Sequence, residues 1–361
     1  MCVNNYVFYC LVKDYLINAF FFFFFFFFCV CCFFFFIIVV RNFKKHYFED
    51  KYEMHIASLK SIEGFLKNNL DKTTFELFIK LNEARSKLYN FIKNDKVQEE
   101  IISMPHSKRM TIYLIISVFD IYHNFVVKKY THNENNFSYF KNVLLSSASE
   151  FTSKLEDSLH IIEKNSRMMF INNKTTILTH SNSECVKRLL LNVKNDNKKI
   201  IVYFTSTEDI NNNYLKEEKK FDDVFIDCLK KENIEIIKMN ISQAKNIFHE
   251  IDFVLIGTEL VIDNGGIVSK RGIKLLAELC LLNKKEFYVA CESFKFLKTE
   301  LIQDISDQFY SYCTKNISIE NYTLYEYIPH NHITLFYTDI GILPPSSISF
   351  ELNKLYMRHV Y

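Results

Sequence analysis

The sequence predicts an α/β protein: an N-terminal helical domain followed by a doubly wound, mainly parallel sheet domain. Three observations predict it. From about residue 41 to 170 the chain holds one glycine and one proline, and its apolar residues recur at spacings of three and four. After residue 172 the period changes, and short β-rich runs alternate with helical stretches. Five of the six glycines then fall between Gly257 and Gly341, as turns at strand ends require.

In the helical half, Ile56, Leu59, Ile62 and Leu66 make one apolar stripe, and Phe75, Phe78, Leu81 and Leu88 make another. Phe140, Leu144, Phe151, Leu155 and Leu159 predict a long helix over about 138–165. Stripes of this period are core-facing helix surfaces. The polar run 131–136 reads as a loop between helices. In the second half, strands are expected over 176–179, 200–205, 234–239, 253–257, 287–290 and 334–337. Helices are expected near 183–192, 216–231, 241–249, 270–282 and 347–356. Buried strands alternating with helices call for right-handed crossovers and a parallel sheet. Ligands of such sheets sit beyond the carboxyl ends of the strands. A site is therefore expected from 179–184, 257–270, 290–295 and 338–341.

Composition narrows the function classes. The 361 residues are 49% hydrophobic and 24% charged, a globular balance rather than a disordered one. Lys+Arg number 44 against 42 Asp+Glu, a net charge of +2, so direct nucleic-acid binding is not expected. Residues 1–40 stand apart. They hold 14 of the 37 Phe and five of the ten Cys, and Phe20 to Val40 is an unbroken apolar run of 21 residues. Such a run is long enough for a bilayer of ~30 Å. Nine consecutive Phe favour the plainer reading of a translated thymine-rich stretch, a non-functional extension, over a membrane anchor. Even as an anchor, Arg41, Lys44 and Lys45 would leave the rest in the cytoplasm. The remaining cysteines (Cys185, Cys228, Cys280, Cys291 and Cys313) are odd in number and scattered, and read as buried free thiols.

The turn after the first strand runs Thr179-His180-Ser181-Asn182-Ser183-Glu184. It has no glycine, so the dinucleotide fingerprint is absent. Ser181 and Glu184 have capping-box spacing, and a helix start there could also seat an anion. His330 and His332 lack a supporting constellation and read as loop side chains rather than metal ligands. Lys216 to Lys220 reads as a solvated helix face.

At these turns the chain resembles a known family. The runs I-L-T-H-S (177–181), V-L-I-G-T-E (254–259), D-N-G-G-I-V-S-K (263–270), F-Y-V-A-C-E-S-F-K-F (287–296), Y-T-D-I-G-I-L (337–343) and E-L-N-K-L-Y (351–356) recur in order. Together they are similar to the alpha-type members of the translation initiation factor 2B alpha/beta/delta family. The resemblance covers about 170–361 strongly and the helical half weakly. It implies a helical domain over 41–170 and a Rossmann-like domain over 171–361, with 1–40 an extension. It implies a non-catalytic regulatory subunit that pairs as a homodimer and joins the beta, gamma, delta and epsilon subunits. It also implies a subunit that senses the phosphorylated alpha subunit of initiation factor 2 in the cytosol, and no cofactor.

A related enzyme, methylthioribose-1-phosphate isomerase, supplies the rival expectation. Its catalytic Cys and Asp would align with Ser181 and Glu259. A serine hydroxyl without a base cannot easily exchange a proton at neutral pH, whereas a thiol of pKa ~8.5 can. A non-catalytic sugar-phosphate or nucleotide pocket could persist there, with His180, Ser181, Asn182, Glu259, Asn264, Lys270 and Asp339 as candidate contacts. Asn264 is also a turn residue first, and Asp339 could serve only to cap a turn.

Overall fold

The computed structural model describes residues 38–50, 52–67, 73–92, 94, 97, 117–119, 121–122, 125, 137–195, 198–206, 213–298 and 325–356. The tract before residue 38, the loop 131–136 and Cys313 lie outside the described residues. Among those described, no helix is long and apolar enough to cross a membrane.

The helical half begins with a helix from residue 38 that ends in a π turn at Lys45–Glu49. Then come α1 (Met54–Lys67), α2 (Thr74–Ile92) and the thirty-residue α3 (Phe137–Ser166). The stripe Ile56, Leu59, Ile62 and Leu66 is buried, as are Leu81 and Leu88 on α2 and Leu144, Phe151 and Leu155 on α3. Val39 and Val40 are buried too, and Val39 shares the cluster of Phe43 and Tyr47. The helical core therefore draws on residues that the sequence assigns to the Phe-rich extension. A chain begun at Arg41 is expected to be about 3 kcal/mol less stable in urea unfolding than one begun at residue 38, since each valine buried contributes ~1.5 kcal/mol.

The second half carries a seven-stranded sheet of order β11-β10-β7-β4-β1-β2-β3. Its strands are β1 (Lys174–His180), β2 (Lys199–Ser206), β3 (Glu235–Asn240), β4 (Phe253–Gly257), β7 (Glu286–Ala290), β10 (Leu335–Thr338) and β11 (Gly341–Leu343). All neighbours are parallel except β10 and β11. Helices α4 (Glu184–Asn195), α5 (Asn213–Lys231), α6 (Ile273–Asn283) and α7 (Ile348–Tyr356) accompany it. Strand order reverses between β1 and β4, which places the switch point, and the crevice it opens, beyond their carboxyl ends.

Two expectations need correction. The stretch 241–249 is a 3-10 helix over Ile241–Ile247 rather than an α-helix. A second sheet of order β8-β5-β6-β9 was not foreseen; it consists of β5 (Leu260–Ile262), β6 (Ile267–Lys270), β8 (Phe296–Leu297) and β9 (Tyr325–Ile328). This small sheet joins the halves. Leu260, Ile262, Val268, Phe294 and Tyr325 share one apolar core with α1, α2 and α3. The Ser117 hydroxyl lies 2.8 and 2.6 Å from the carbonyls of Phe294 and Phe296. At the far end of α3, Asn165 donates to the Thr338 carbonyl at 3.0 Å. In the C-terminal stretch, Ile333, Phe336, Tyr337, Leu343, Ile348 and Leu352 are buried in the chain's own core. Ile340 and Phe350 remain exposed.

Candidate functional site

A cavity lies at the switch point. Asn182 to Cys185 line it from the β1 loop, Gly257 to Glu259 from the end of β4, Ser269 and Lys270 from β6, and Glu292 and Lys295 from the segment after β7. The helical half covers it with Glu53 and Leu159.

Local backbone chemistry shapes the first loop. Ser181 takes a left-handed conformation, φ 55°, and its N–H donates to the Thr205 carbonyl at 2.8 Å. The Asn182 N–H donates to Asp222 at 2.8 Å. The helix then starts at Glu184 with Ser183 as its cap, the Val186 N–H reaching Ser183 Oγ at 3.4 Å. The Ser181–Glu184 capping box therefore does not form: a left-handed Ser181 lies too far outside the helix, and the Glu184 carboxylate instead pairs with Lys187 and Arg188. Gly257 is needed opposite, since a Cβ there would fall 2.2 Å from Ser183 Oγ. Ser269 Oγ donates to the Gly257 carbonyl at 2.9 Å and fixes the second wall.

Of the seven sequence candidates, His180, Asn182, Glu259 and Lys270 line the cavity. His180 is engaged within the protein: Nε2 donates to the Arg271 carbonyl at 2.9 Å and Nδ1 lies 3.0 Å from Thr205 Oγ1. Burial first, then the Lys270 charge, push its pKa down to about 3, so the ring is neutral. Ser181, Asn264 and Asp339 are not lining residues. Asn264 closes the β5–β6 turn, accepting from the Gly266 N–H at 2.8 Å and donating to the Tyr327 hydroxyl at 3.0 Å. Asp339 holds the segment after β7, accepting from Ser293 N–H and Oγ at 2.6 and 2.7 Å. Burial raises its pKa against those bonds.

Glu53 lay outside every expected stretch, whereas Glu292 and Lys295 fall within the expected 290–295 but were not among the named candidate contacts. Lys295 Nζ stands 2.9 Å from Glu292 Oε2, with 12% and 6% of the two side chains accessible. Burial opposes the Lys295 charge, but Glu292 and then Glu259 outweigh it and raise its pKa. At that distance the Lys295 ammonium is the charge-assisted donor held against the buried Glu292 carboxylate. Glu53 keeps 38% of its side chain accessible. Burial first and the Glu292 charge second push its pKa up to about 7. Glu292 and Lys295 lie in the quoted E-S-F-K-F run, where charged residues within an apolar segment were the available signal; for Glu53 there was none. The thiols of Cys185, Cys280 and Cys291 are buried and that of Cys228 is half-buried, all four free. Among the described residues no group of three His, Cys, Asp or Glu is placed to hold a metal.

A sequence model described as the initiation factor 2 subunit family matches residues 54–345. The chain is 30% identical over 275 residues to "Translation initiation factor eIF2B subunit alpha" of Dictyostelium discoideum, covering 72% of this chain and 81% of that one. It is 24% identical over 190 residues to "Ribose 1,5-bisphosphate isomerase" of Methanocaldococcus jannaschii, covering 50% and 58%. A chain in the crystal structure of the tetrameric eIF2B-beta2-delta2 complex from C. thermophilum has the same fold, with a TM-score of 0.64 over 89% of this chain and 93% of that one at 14% identity.

Proposed function

The chain belongs to the initiation factor 2 subunit family, and on that premise we propose that it is a regulatory, non-catalytic subunit of the guanine-nucleotide exchange factor for translation initiation factor 2. The observation that carries this is the 30% identity over 275 residues with an alpha subunit of that factor. In this reading the chain works in the cytosol, pairs with a second copy of itself, and bridges two sets of beta, gamma, delta and epsilon subunits. Exchange falls to the epsilon subunit. This chain's part is to sense the phosphorylated alpha subunit of initiation factor 2, whose phosphate needs positive or N–H-rich surroundings.

The switch-point cavity then holds a sugar phosphate or nucleotide without turning it over, with Lys270 facing the phosphate. Two features support a non-catalytic cavity. Ser181, at the position expected of the isomerase cysteine, lies outside the lining residues. Cys185 does line the cavity, but burial first and the Glu292 charge next hold its thiol well above the ordinary range, whereas the reactive form is the thiolate. An isomerase is the second reading, favoured by the 24% identity with the ribose 1,5-bisphosphate enzyme.

The test is a nucleotide-exchange assay on the reconstituted complex with and without this chain. Basal exchange should persist in its absence, while inhibition by phosphorylated initiation factor 2 should be blunted. Equal inhibition without the chain would sink the regulatory reading. Steady conversion of ribose 1,5-bisphosphate by the isolated chain would put the isomerase in its place, and sedimentation as a monomer at micromolar concentration would remove the bridging role.

A further inference from the structure

We infer that Asp222 on α5, which lies outside the cavity lining, is a positioning residue for the ligand: it holds the backbone at Asn182 so that the Asn182 amide meets two neighbouring hydroxyls of a sugar. The inference rests on the ligand-pocket reading above and supplies part of its recognition chemistry.

Among the described residues two acidic side chains are buried, Glu292 at 5% exposure and Asp222 at 2%. Glu292 faces the cavity and has Lys295 beside it. Asp222 does not face the cavity. It heads a buried stripe on α5 that continues through Phe225, Ile226 and Leu229, at spacings of three, four and seven. Phe225 packs on Phe204 of β2 with ring centres 5.3 Å apart, which fixes the helix on the sheet at this point. Packing alone would be served by an apolar residue at the head of the stripe, as it is at the other three positions. A carboxylate there is costly unless donors meet it. One donor is the Asn182 N–H, 2.8 Å away and 40 positions earlier in the chain.

That bond shapes the cavity's first wall. Ser181, at φ 55°, sends its N–H to the Thr205 carbonyl, and Asn182 sends the next N–H to Asp222. Two successive backbone donors are thus tied to β2 and α5, while the run from Asn182 to Cys185 lines the cavity. Within that lining, the Asn182 side-chain amide makes no hydrogen bond among the described residues. His180 differs, since both its ring nitrogens are engaged. An amide presents a donor and an acceptor side by side. It therefore matches a pair of hydroxyls, one accepting and one donating, whereas an ionised phosphate offers acceptors alone. Such a reader works only if the backbone beneath it is held, and a residue behind the wall supplies that support.

The experiment is calorimetric titration of the full chain with ribose 5-phosphate and with inorganic phosphate. Asn182→Ala keeps the N–H and removes the amide, and should weaken ribose 5-phosphate about tenfold. Asp222→Ala should weaken it by a similar factor. The double variant should be no weaker than either single one, because a residue that acts through the amide has nothing to act on once the amide is gone. Asp222→Asn retains an oxygen that accepts from the Asn182 N–H and should bind within about threefold of wild type. Inorganic phosphate should bind all of these alike. Urea midpoints report whether each variant folds; if Asp222→Ala does not, Asp222→Ser, whose hydroxyl ends one bond short of the carboxylate oxygens, takes its place. A roughly hundredfold loss in the double variant would mean that the two residues act independently. That result, an Asn182→Ala that binds like wild type, an Asp222→Asn as weak as Asp222→Ala, or equal losses for phosphate and sugar phosphate would overturn the positioning role and leave the pocket reading intact. If wild type does not bind ribose 5-phosphate, the pocket reading falls and the inference falls with it.

Discussion

Lys295→Met is expected to lower the unfolding free energy by about 3–5 kcal/mol at neutral pH, because it removes one partner of a buried ion pair and strands the other. Lys295 and Glu292 retain only 12% and 6% of their side-chain exposure. The lysine also faces Glu259 and Glu53. Its loss would leave four carboxyl groups (Glu53, Glu184, Glu259 and Glu292) around one cavity with Lys270 as the remaining lining cation. Out of a total stability of ~5–15 kcal/mol such a loss is large, and it should show as a lower urea midpoint. The double variant Glu292→Gln/Lys295→Met separates charge from packing. Replacing both ions by uncharged groups of similar volume should recover more than half of the loss, since the uncompensated charge is gone. A single-variant loss below ~1 kcal/mol, the size of an exposed pair, would show that water reaches this pair freely. A double variant as unstable as the single one would mean that packing of the lysine stem dominates.

The sheet was legible because its strands are short apolar runs bounded by polar turns. Phe253–Gly257 matches its expected bounds, and the others differ by a residue or two at either end. A mainly parallel, doubly wound sheet followed from alternation with helices and crossover handedness, but the strand order and the short antiparallel β11 did not. The small sheet was not legible: its strands are two to four residues long, and β5 pairs with β8 some 35 positions away, which no local period encodes. Turn chemistry was partly legible. Asn264-Gly265 is the turn its sequence suggests, with Gly265 at φ 80°. The capping spacing of Ser181 and Glu184 was misleading, because pairing of β1 with β2 sets Thr205 opposite His180, the last residue of β1, and its carbonyl captures the Ser181 N–H before the helix begins.

The site's charges were the least legible part. Motif reasoning gathers residues near strand ends, so it reached His180, Asn182, Glu259 and Lys270. It could not reach Glu53, which arrives from the other half of the chain through packing of α1 against the small sheet. It also could not distinguish a residue that faces the cavity from one that builds its walls. Asp339 and Asn264 are builders, their polar atoms taken up by Ser293, Gly266 and Tyr327.

Acid should destabilise the protein through two histidines. His55 and His180 are buried, at 3% and 2% exposure. Burial first, then the charges of Lys295 and Lys270 respectively, push both pKa values down to about 3. The unfolded chain takes up a proton at each near pH 6.5, while the folded chain refuses it until about 3. Between those values the unfolded state binds more protons, so stability is complete above 6.5 and is lost as the pH falls. At pH 5 the loss approaches roughly 2 kcal/mol per histidine, at ~1.4 kcal/mol per unit. Glu53 works in the opposite direction: its raised pKa means that the folded state holds the extra proton between 4.5 and about 7, which partly offsets the loss. The two imidazoles have structural duties that keep them inside. His55 stacks on Phe294 with ring centres 4.2 Å apart, where the halves meet. His180 ties β1 to the Arg271 carbonyl beside Gly272, where φ is +107° and an added Cβ would fall 2.8 Å from its ring. His55→Phe preserves an aromatic ring over Phe294 and removes one titrating group. Its unfolding free energy should therefore fall by roughly 2 kcal/mol less than the wild type's between pH 7 and pH 5. The measurement is a set of urea unfolding curves at half-unit pH steps. An unchanged slope in His55→Phe would show that the ring is reached by protons in the folded state, and the packing account of the junction between the halves would fail with it.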